Sequence, residues 1–312
     1  MEKINKSIVS KMVYGAIIGD CLGVPVEFFT RKELEDNPIE DMTGFGTHYK
    51  PSGTWSDDSS LILAQMDGLT YPANRKLIAQ NFVDWKFKNK YCQDSIFDIG
   101  NTTSRAIAQI NFDIFNNKFD DDKEYCTEDS SSGNGALMRI FPIVFICVNN
   151  SLNFEERKNI IYNMASLTHG SNISKIVCLV YIEILYYILL GHDIISSINI
   201  VKNELSTYDT SFIKNIFNKK FLKTNKKHIR SDGYCLHTLE AAIWCVYNSS
   251  SYKEAVLKAV NLGDDTDTTA CVAGAMAALY FDEIDIYWKQ QIYKADIIND
   301  VISKFCVQNN IF

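Results

Sequence analysis

Apolar side chains recur along this chain at intervals of three and four residues, the spacing that keeps them on one face of an α-helix. The pattern starts with Ile8, Met12, Ile17 and Ile18, and continues through Leu61 to Leu69, Leu77 to Phe87, Ala136 to Val148 and Ile176 to Leu190. It closes with Leu239 to Tyr247 and Ala270 to Tyr280. Strand-like alternation joined by Asn-Gly or Asp-Gly turns is missing. No Pro/Ser/Gly-rich linker divides the chain and no period repeats, so residues 1–312 are expected to form a single all-α domain. The stretch from Lys214 to Arg230, rich in Lys and Asn, reads as a solvated surface loop.

Two apolar runs raise the question of a membrane. Met12 to Ile18 follows Lys11 like a short signal-peptide core, but Gly19-Asp20 cuts it off. Ile176 to Leu190 is shorter than the roughly 20 residues a bilayer requires and carries Glu183 in its middle. Both are expected to be buried helices of a soluble, cytoplasmic protein that needs no membrane. Composition agrees: 46% of residues are hydrophobic, which excludes a disordered chain, and only 15 Gly and 5 Pro are present. The net charge of −7 offers no basic face to a phosphate backbone, so nucleic acid is not expected as a partner. Nine scattered cysteines, none in a Cys-x-x-Cys pair, read as buried free thiols in a reducing compartment.

The chemistry gathers in the loops. Thr54-Trp55-Ser56-Asp57-Asp58-Ser59-Ser60 leads directly into an apolar helix, and so does Gly263-Asp264-Asp265-Thr266-Asp267-Thr268-Thr269. One Ser or Asp is enough to cap a helix N-terminus. Adjacent acids flanked by hydroxyls, at the mouths of two separate helices, point instead to hard divalent cations, which take oxygen ligands. An EF-hand starting at Asp265 fails, because its sixth position is Ala270 and its twelfth Met276. The clusters lie some two hundred positions apart, so the fold must bring them together.

Smaller signals accompany them. Glu27 follows the turn-forming stretch Gly19 to Val26, and Asp98-Ile99-Gly100-Asn101 sets a carboxylate and an amide three apart, to cap a helix or hold a sugar diol. Ser131 to Gly135 is a Gly/Ser loop expected at a helix N-terminus, suited to a pyrophosphate, with no Walker lysine and no G-x-G-x-x-G. His169 stands alone between Thr168 and Gly170.

Taken in order, the blocks G-A-I-I-G-D-C-L-G-V-P-V-E-F, P-S-G-T-W-S-D-D-S, D-I-G-N-T-T, G-N-G-A-L-M-R-I-F-P, L-T-H-G and N-L-G-D-D-T-D-T-T-A-C-V-A-G make the chain resemble the ADP-ribosylglycohydrolase family. That resemblance implies an all-α orthogonal helical bundle with a two-metal cleft holding two Mg²⁺ ions, for which Mn²⁺ can substitute. The family's first metal motif falls on Ser56, Asp57 and Asp58, with Ser replacing the usual Thr, and its last on Asp265, Asp267 and Thr268. Asp98 and Asn101 match residues at the ribose and scissile end, in the manner of the arginine-specific branch, and Glu27 matches an acid that approaches the metals. Gly133, Asn134, Gly135 and His169 fall where pyrophosphate and distal ribose are held. Asp58, Asp98 and Glu27 are the candidate catalytic carboxylates. The activity implied is removal of ADP-ribose from protein side chains, foremost from arginine. An O-linked conjugate and a non-catalytic ADP-ribose-binding relative are the alternatives. The partners implied are an ADP-ribosylated protein and ADP-ribose, with a monomer favoured.

Overall fold

In the computed structural model, which describes residues 4–312, helices α1 (Lys6–Gly23) and α14 (Thr266–Tyr280) form the central pair. Their contact is a seam of small residues. Gly15, Gly19 and Gly23 recur every fourth position on α1, facing Ala270, Gly274 and Asp267 on α14. A β-carbon on Gly19 would lie 2.1 Å from the Ala270 carbonyl oxygen, so only glycine lets the backbones approach this closely. The seam is what sets the C-terminal end of α1 beside the first turn of α14, where the second acidic cluster sits. Tyr252 and Thr266 bridge it by donating to the carbonyls of Gly15 and Gly23, each at 2.8 Å. Gly19→Ala gains about 1 kcal/mol in helix propensity and forces a backbone clash with a penalty of about 3 kcal/mol. The clash wins, so the variant should melt several degrees below wild type in a thermal scan.

Around this pair the chain places α2 (Arg31–Asp36), α3 (Asp57–Gly68), α4 (Arg75–Lys88), α5 (Asn101–Phe115), α6 (Leu137–Ile140), α7 (Ile143–Asn149) and α8 (Phe154–Ala165). There follow α9 (Asn172–Leu189), α10 (Ile194–Glu204), α11 (Lys219–Leu222), α12 (Cys235–Tyr247) and α13 (Tyr252–Val260). The chain ends in α15 (Ile286–Gln291) and α16 (Ala295–Gln308). No strand forms among the described residues; only isolated bridges link Phe45 with Lys50 and Gly133 with Tyr234. The all-α bundle read from the periodicity is thus the observed architecture.

The two runs resembling membrane segments become α1 and α9. Both are long and apolar enough to span a bilayer by length and composition, and both lie mostly inside the protein. Glu183, the acid within α9, is fully buried and takes a two-pronged ion pair from Arg157, at 2.8 and 2.6 Å. Bidentate pairing of this kind satisfies a charge that burial would otherwise neutralise.

Two expectations require correction. The run from Ala136 to Val148 is not one helix: it breaks at Phe141-Pro142 into α6 and α7, because proline supplies no N–H to carry the ladder across. Lys214 to Arg230 is a solvated loop only in part, although most of its residues are exposed. It contains α11 and buries Ile216, Leu222 and Ile229, while the Arg31 guanidinium clamps the carbonyls of Lys226, Ile229 and Leu262. All nine cysteines are free, and seven are buried.

Candidate active site

The first acidic cluster is built on a buried carboxylate that sequence reading passed over. Asp20, in the last turns of α1, is fully buried and accepts the backbone N–H groups of Ser56 and Ser59 at 3.0 Å, and the Ser59 hydroxyl at 2.5 Å. It therefore caps α3 from outside, where its charge also meets the positive end of the helix dipole. Ser56 completes the cap: its hydroxyl accepts the Asp58 N–H and donates to Asp58 Oδ2, both at 3.2 Å. Asp57 and Asp58 are thereby fixed on the first turn of α3, turned inward.

The second cluster arrives on α14. Gly263 and Asp264 both have positive φ, 80° and 60°, and Asp264 exchanges backbone hydrogen bonds with the Phe28–Phe29 segment at 2.7 and 2.8 Å. This clip joins Glu27 to the loop that carries Asp265. The two clusters then meet directly: the Thr268 hydroxyl donates to Asp58 Oδ2 at 3.2 Å. Carboxylate oxygens of Glu27, Asp265 and Asp267 lie within 4.8 Å of one another, and Glu27, His48 and Asp98 form a second such group.

These groups border a cleft of about 290 Å³. Glu27, Asp57, Asp98, Asp265 and Thr268 line it together with Asn101, Gly133, Asn134, Gly135 and His169, and with Thr103 and Phe28. Ser56, Asp58 and Asp267 sit behind the wall, buried. So all the residues singled out in the sequence fall at or immediately behind one cleft. Their internal contacts qualify some of the expected roles. Asn134 donates through Nδ2 to Asp265 Oδ2 at 2.8 Å and to Thr238 at 3.0 Å, so it orients a carboxylate. The Gly/Ser loop does not precede a full helix, since α6 has only four residues and offers little dipole to a pyrophosphate. Ser131 and Ser132 are buried in contacts with Arg105 and Ser171. The glycines matter for space: a β-carbon on Gly135 would lie 2.6 Å from Thr103 Oγ1 and 2.8 Å from His169 Cε1.

The electrostatics of the site are strongly acidic. Among the described residues no lysine or arginine lines the cleft. Burial raises Asp57, Asp58 and Asp267 well above the ordinary carboxylate range, and repulsion from neighbouring carboxylates adds to it. Burial likewise pushes Asp20 to about 6, against hydrogen bonds from Ser59 and Ser56, and Glu27 to about 7, against its hydrogen bond with His48. Asp98 and Asp265 are raised by burial too. Three buried carboxylate oxygens, Asp58 Oδ1, Asp265 Oδ1 and Asp267 Oδ2, have no hydrogen-bond partner. Unpartnered buried anionic oxygens are costly unless a cation meets them. An all-oxygen donor set of carboxylates and hydroxyls suits Mg²⁺ or Mn²⁺, whereas zinc favours His and Cys. The residues present therefore fit hard divalent ions.

A pH prediction follows. Carboxylates with raised native pKa values bind more protons folded than unfolded, so stability is lost as pH rises toward those values. His169, depressed to about 3 by burial, works in the opposite direction only while the unfolded histidine is losing its proton around pH 6.5, and the several raised carboxylates outweigh it. In EDTA the melting temperature should therefore fall between pH 6.5 and 8, and millimolar Mg²⁺ should recover it at pH 8. A flat profile in EDTA would show that the carboxylates are not mutually strained.

Sequence reading missed two residues here, Asp20 and His48. The His48 ring pairs through Nε2 with Glu27 Oε2 and packs 5.1 Å from Phe97. A lone histidine in a Gly-rich loop gives no spacing from which this partnership can be read.

Fold and site together define an all-α protein with an acidic, cation-ready cleft at the N-termini of α3 and α14. A profile of the ADP-ribosylglycohydrolase family matches residues 2–310, and the chain belongs to that family. The ADP-ribosylarginine hydrolase Tri1 of Pseudomonas putida (strain GB-1) is 30% identical over 281 residues, covering 85% of this chain and 68% of that protein. Its namesake in Serratia proteamaculans (strain 568) is 30% identical over 305 residues, covering 92% and 75%. A solved chain described as an ADP-ribosylglycohydrolase-related protein complex shares the fold, with a TM-score of 0.75 at 20% identity, over 97% of this chain and 99% of that one.

Proposed function

We propose that this protein hydrolyses the N-glycosidic bond between the ribose of ADP-ribose and an arginine guanidinium on a modified protein, with two Mg²⁺ ions. The observation that carries the reading is the set of three buried carboxylate oxygens with no partner among the described residues, beside a cleft lined by Glu27, Asp57, Asp98 and Asp265. The arginine linkage is supported by the named activity of the two relatives.

Asp57, Asp58, Asp265 and Asp267, with the hydroxyls of Ser56 and Thr268, would hold the ions. Bound there, the ions supply positive charge that draws in sugar hydroxyls and acidifies water. The chain's own groups do the remaining work. Departure of the guanidine builds oxocarbenium character on the ribose, and the carboxylates facing the cleft stabilise it. Asp98 and Glu27 would serve the scissile end: Asp98 accepts hydrogen bonds from the guanidinium, and as the C1″–N bond breaks and a water oxygen bonds to C1″, Glu27, with His48 as its partner, takes the water's proton and returns it to the departing guanidine. Asn101 meets the ribose at the first turn of α5. His169 and the Gly133–Gly135 loop, which also line the cleft, take the diphosphate and distal ribose.

The direct test is release of ADP-ribose from peptides modified on Arg, Ser or Glu. Release from the arginine peptide with Mg²⁺, abolished by EDTA, is expected. Release from none of the three would overturn the reading.

A further inference from the structure

Arg139 is a fully buried cation with no carboxylate partner among the described residues. Its guanidinium sits 4.7 Å over the Phe82 ring and donates to Gln65 Oε1, to the Met164 carbonyl at 3.1 Å and to the Thr168 hydroxyl at 2.8 Å. Its Nε has no partner. An uncompensated buried charge is unfavourable, and an apolar residue of similar size would fill the space at less cost. Its polar partners are Gln65, Met164 and Thr168, and the bond to Thr168 is the one that leads to the cleft.

Thr168, itself fully buried, has two polar neighbours at its hydroxyl: Arg139, and His169 Nδ1 at 2.9 Å. Arginine can only donate, so the hydroxyl oxygen accepts from it. If His169 Nδ1 were also protonated, the threonine proton would be left buried with no acceptor. The arrangement that satisfies every group has Thr168 donating to a bare Nδ1, which leaves the ring proton on Nε2. That nitrogen has no hydrogen bond within the described residues and stands at the cleft wall, 3.6 Å from where a β-carbon on Gly133 would be and 3.3 Å from one on Gly135. Burial, reinforced by the Arg139 charge, keeps the ring neutral.

We infer that Arg139 and Thr168 are positioning residues that lock His169 as a neutral Nε2–H donor, so that the Gly133–Gly135 wall presents one fixed N–H to an acceptor oxygen of the bound ligand. The inference rests on the reading of this cleft as an ADP-ribose site. A neutral imidazole free to exchange tautomers would at times present a lone pair instead and repel the same oxygen. The network also reaches Gln65 on α3, the helix whose first turn holds Asp57 and Asp58.

The test is nitrogen NMR of histidine-labelled protein, with the His169 signals identified by their loss in His169→Gln. Wild type should show a pyrrole-type Nε2 and a pyridine-type Nδ1, unchanged from pH 6 to 9. Thr168→Val removes the hydroxyl while keeping the shape; it should mix or reverse the tautomers and weaken ADP-ribose binding about tenfold. Thr168→Ser should restore both. A protonated Nδ1 in wild type overturns the inference whatever the variants do. So does a folded Thr168→Val protein that keeps the Nε2–H tautomer and wild-type affinity. Wild-type protein with the expected tautomer and no affinity for ADP-ribose supports the lock and overturns the reading of the cleft.

Discussion

Asp267→Asn should lower ADP-ribose release at least about a thousandfold, a loss of about 4 kcal/mol of transition-state stabilisation, while the protein stays folded. Asp267 is fully buried on the first turn of α14, and its Oδ1 accepts the Thr268 N–H at 2.9 Å. Asparagine keeps that acceptor and nearly the same shape. What it removes is the charge on Oδ2, which points among Glu27, Asp58 and Asp265 with no partner. In metal-free buffer the substitution relieves repulsion, so the melting temperature should hold or rise. The stabilisation that Mg²⁺ gives wild type should shrink sharply. This opposition of signs separates a metal-site role from a structural one, because loss of a structural hydrogen bond would lower stability with or without the ion. Calorimetric scans in EDTA and in Mg²⁺, beside the release assay, make the comparison. Full activity of Asp267→Asn in EDTA would sink the metal hypothesis.

The acidic clusters could be read in sequence because they break a local rule. Two adjacent acids at a helix mouth exceed what capping requires, and the excess is visible in the residues themselves. That the two clusters share one hydroxyl–carboxylate contact, Thr268 to Asp58, is not visible in sequence, since it depends on how α3, held by Asp20 of α1, is set against α14. The glycines at 15, 19 and 23 carried that information, but a stripe of small residues reads as easily as a tolerant surface. Asp20 was hidden for a related reason: its partners, Ser56 and Ser59, lie on another helix, and an isolated acid in an apolar run advertises only a cost. The Lys214 to Arg230 segment was misread because Ile216, Leu222 and Ile229 are buried singly, without the spacing by which amphipathic elements are recognised. Family blocks pointed to the residues of the cleft, yet they did not distinguish Asn134 as an orienter of Asp265 from Asn134 as a ligand contact. Local patterns show which elements form; which polar atoms remain free for a substrate is decided by tertiary hydrogen bonding.

ADP-ribosylarginine should be cleaved with kcat/KM at least about tenfold above ADP-ribosylserine, a gap of about 1.4 kcal/mol, and Asp98 is the residue expected to set it. Its backbone is left-handed, φ 52°, a conformation aspartate tolerates better than most side chains. The turn holds the carboxylate at the cleft wall beside Glu27 and His48. Burial raises its pKa, and the His48 ring opposes that rise. A guanidinium arriving there brings a fixed positive charge and planar N–H donors, which favour the ionised carboxylate and bind it with charge-assisted hydrogen bonds. A serine ether oxygen offers neither. Removing the carboxylate in Asp98→Ala should therefore cut single-turnover cleavage of the arginine conjugate by at least about a hundredfold, with a much smaller change in the affinity for free ADP-ribose, which lacks the guanidinium. The two measurements, equilibrium binding and single-turnover hydrolysis, separate the scissile end from the rest of the ligand. Untouched arginine cleavage in Asp98→Ala, or a preference for the serine conjugate in wild type, would overturn the linkage assignment. The cation site would stand through that result, because it rests on Asp57 and on Asp58, Asp265 and Asp267, and the unpartnered oxygens of the last three call for a positive charge whichever bond is cut.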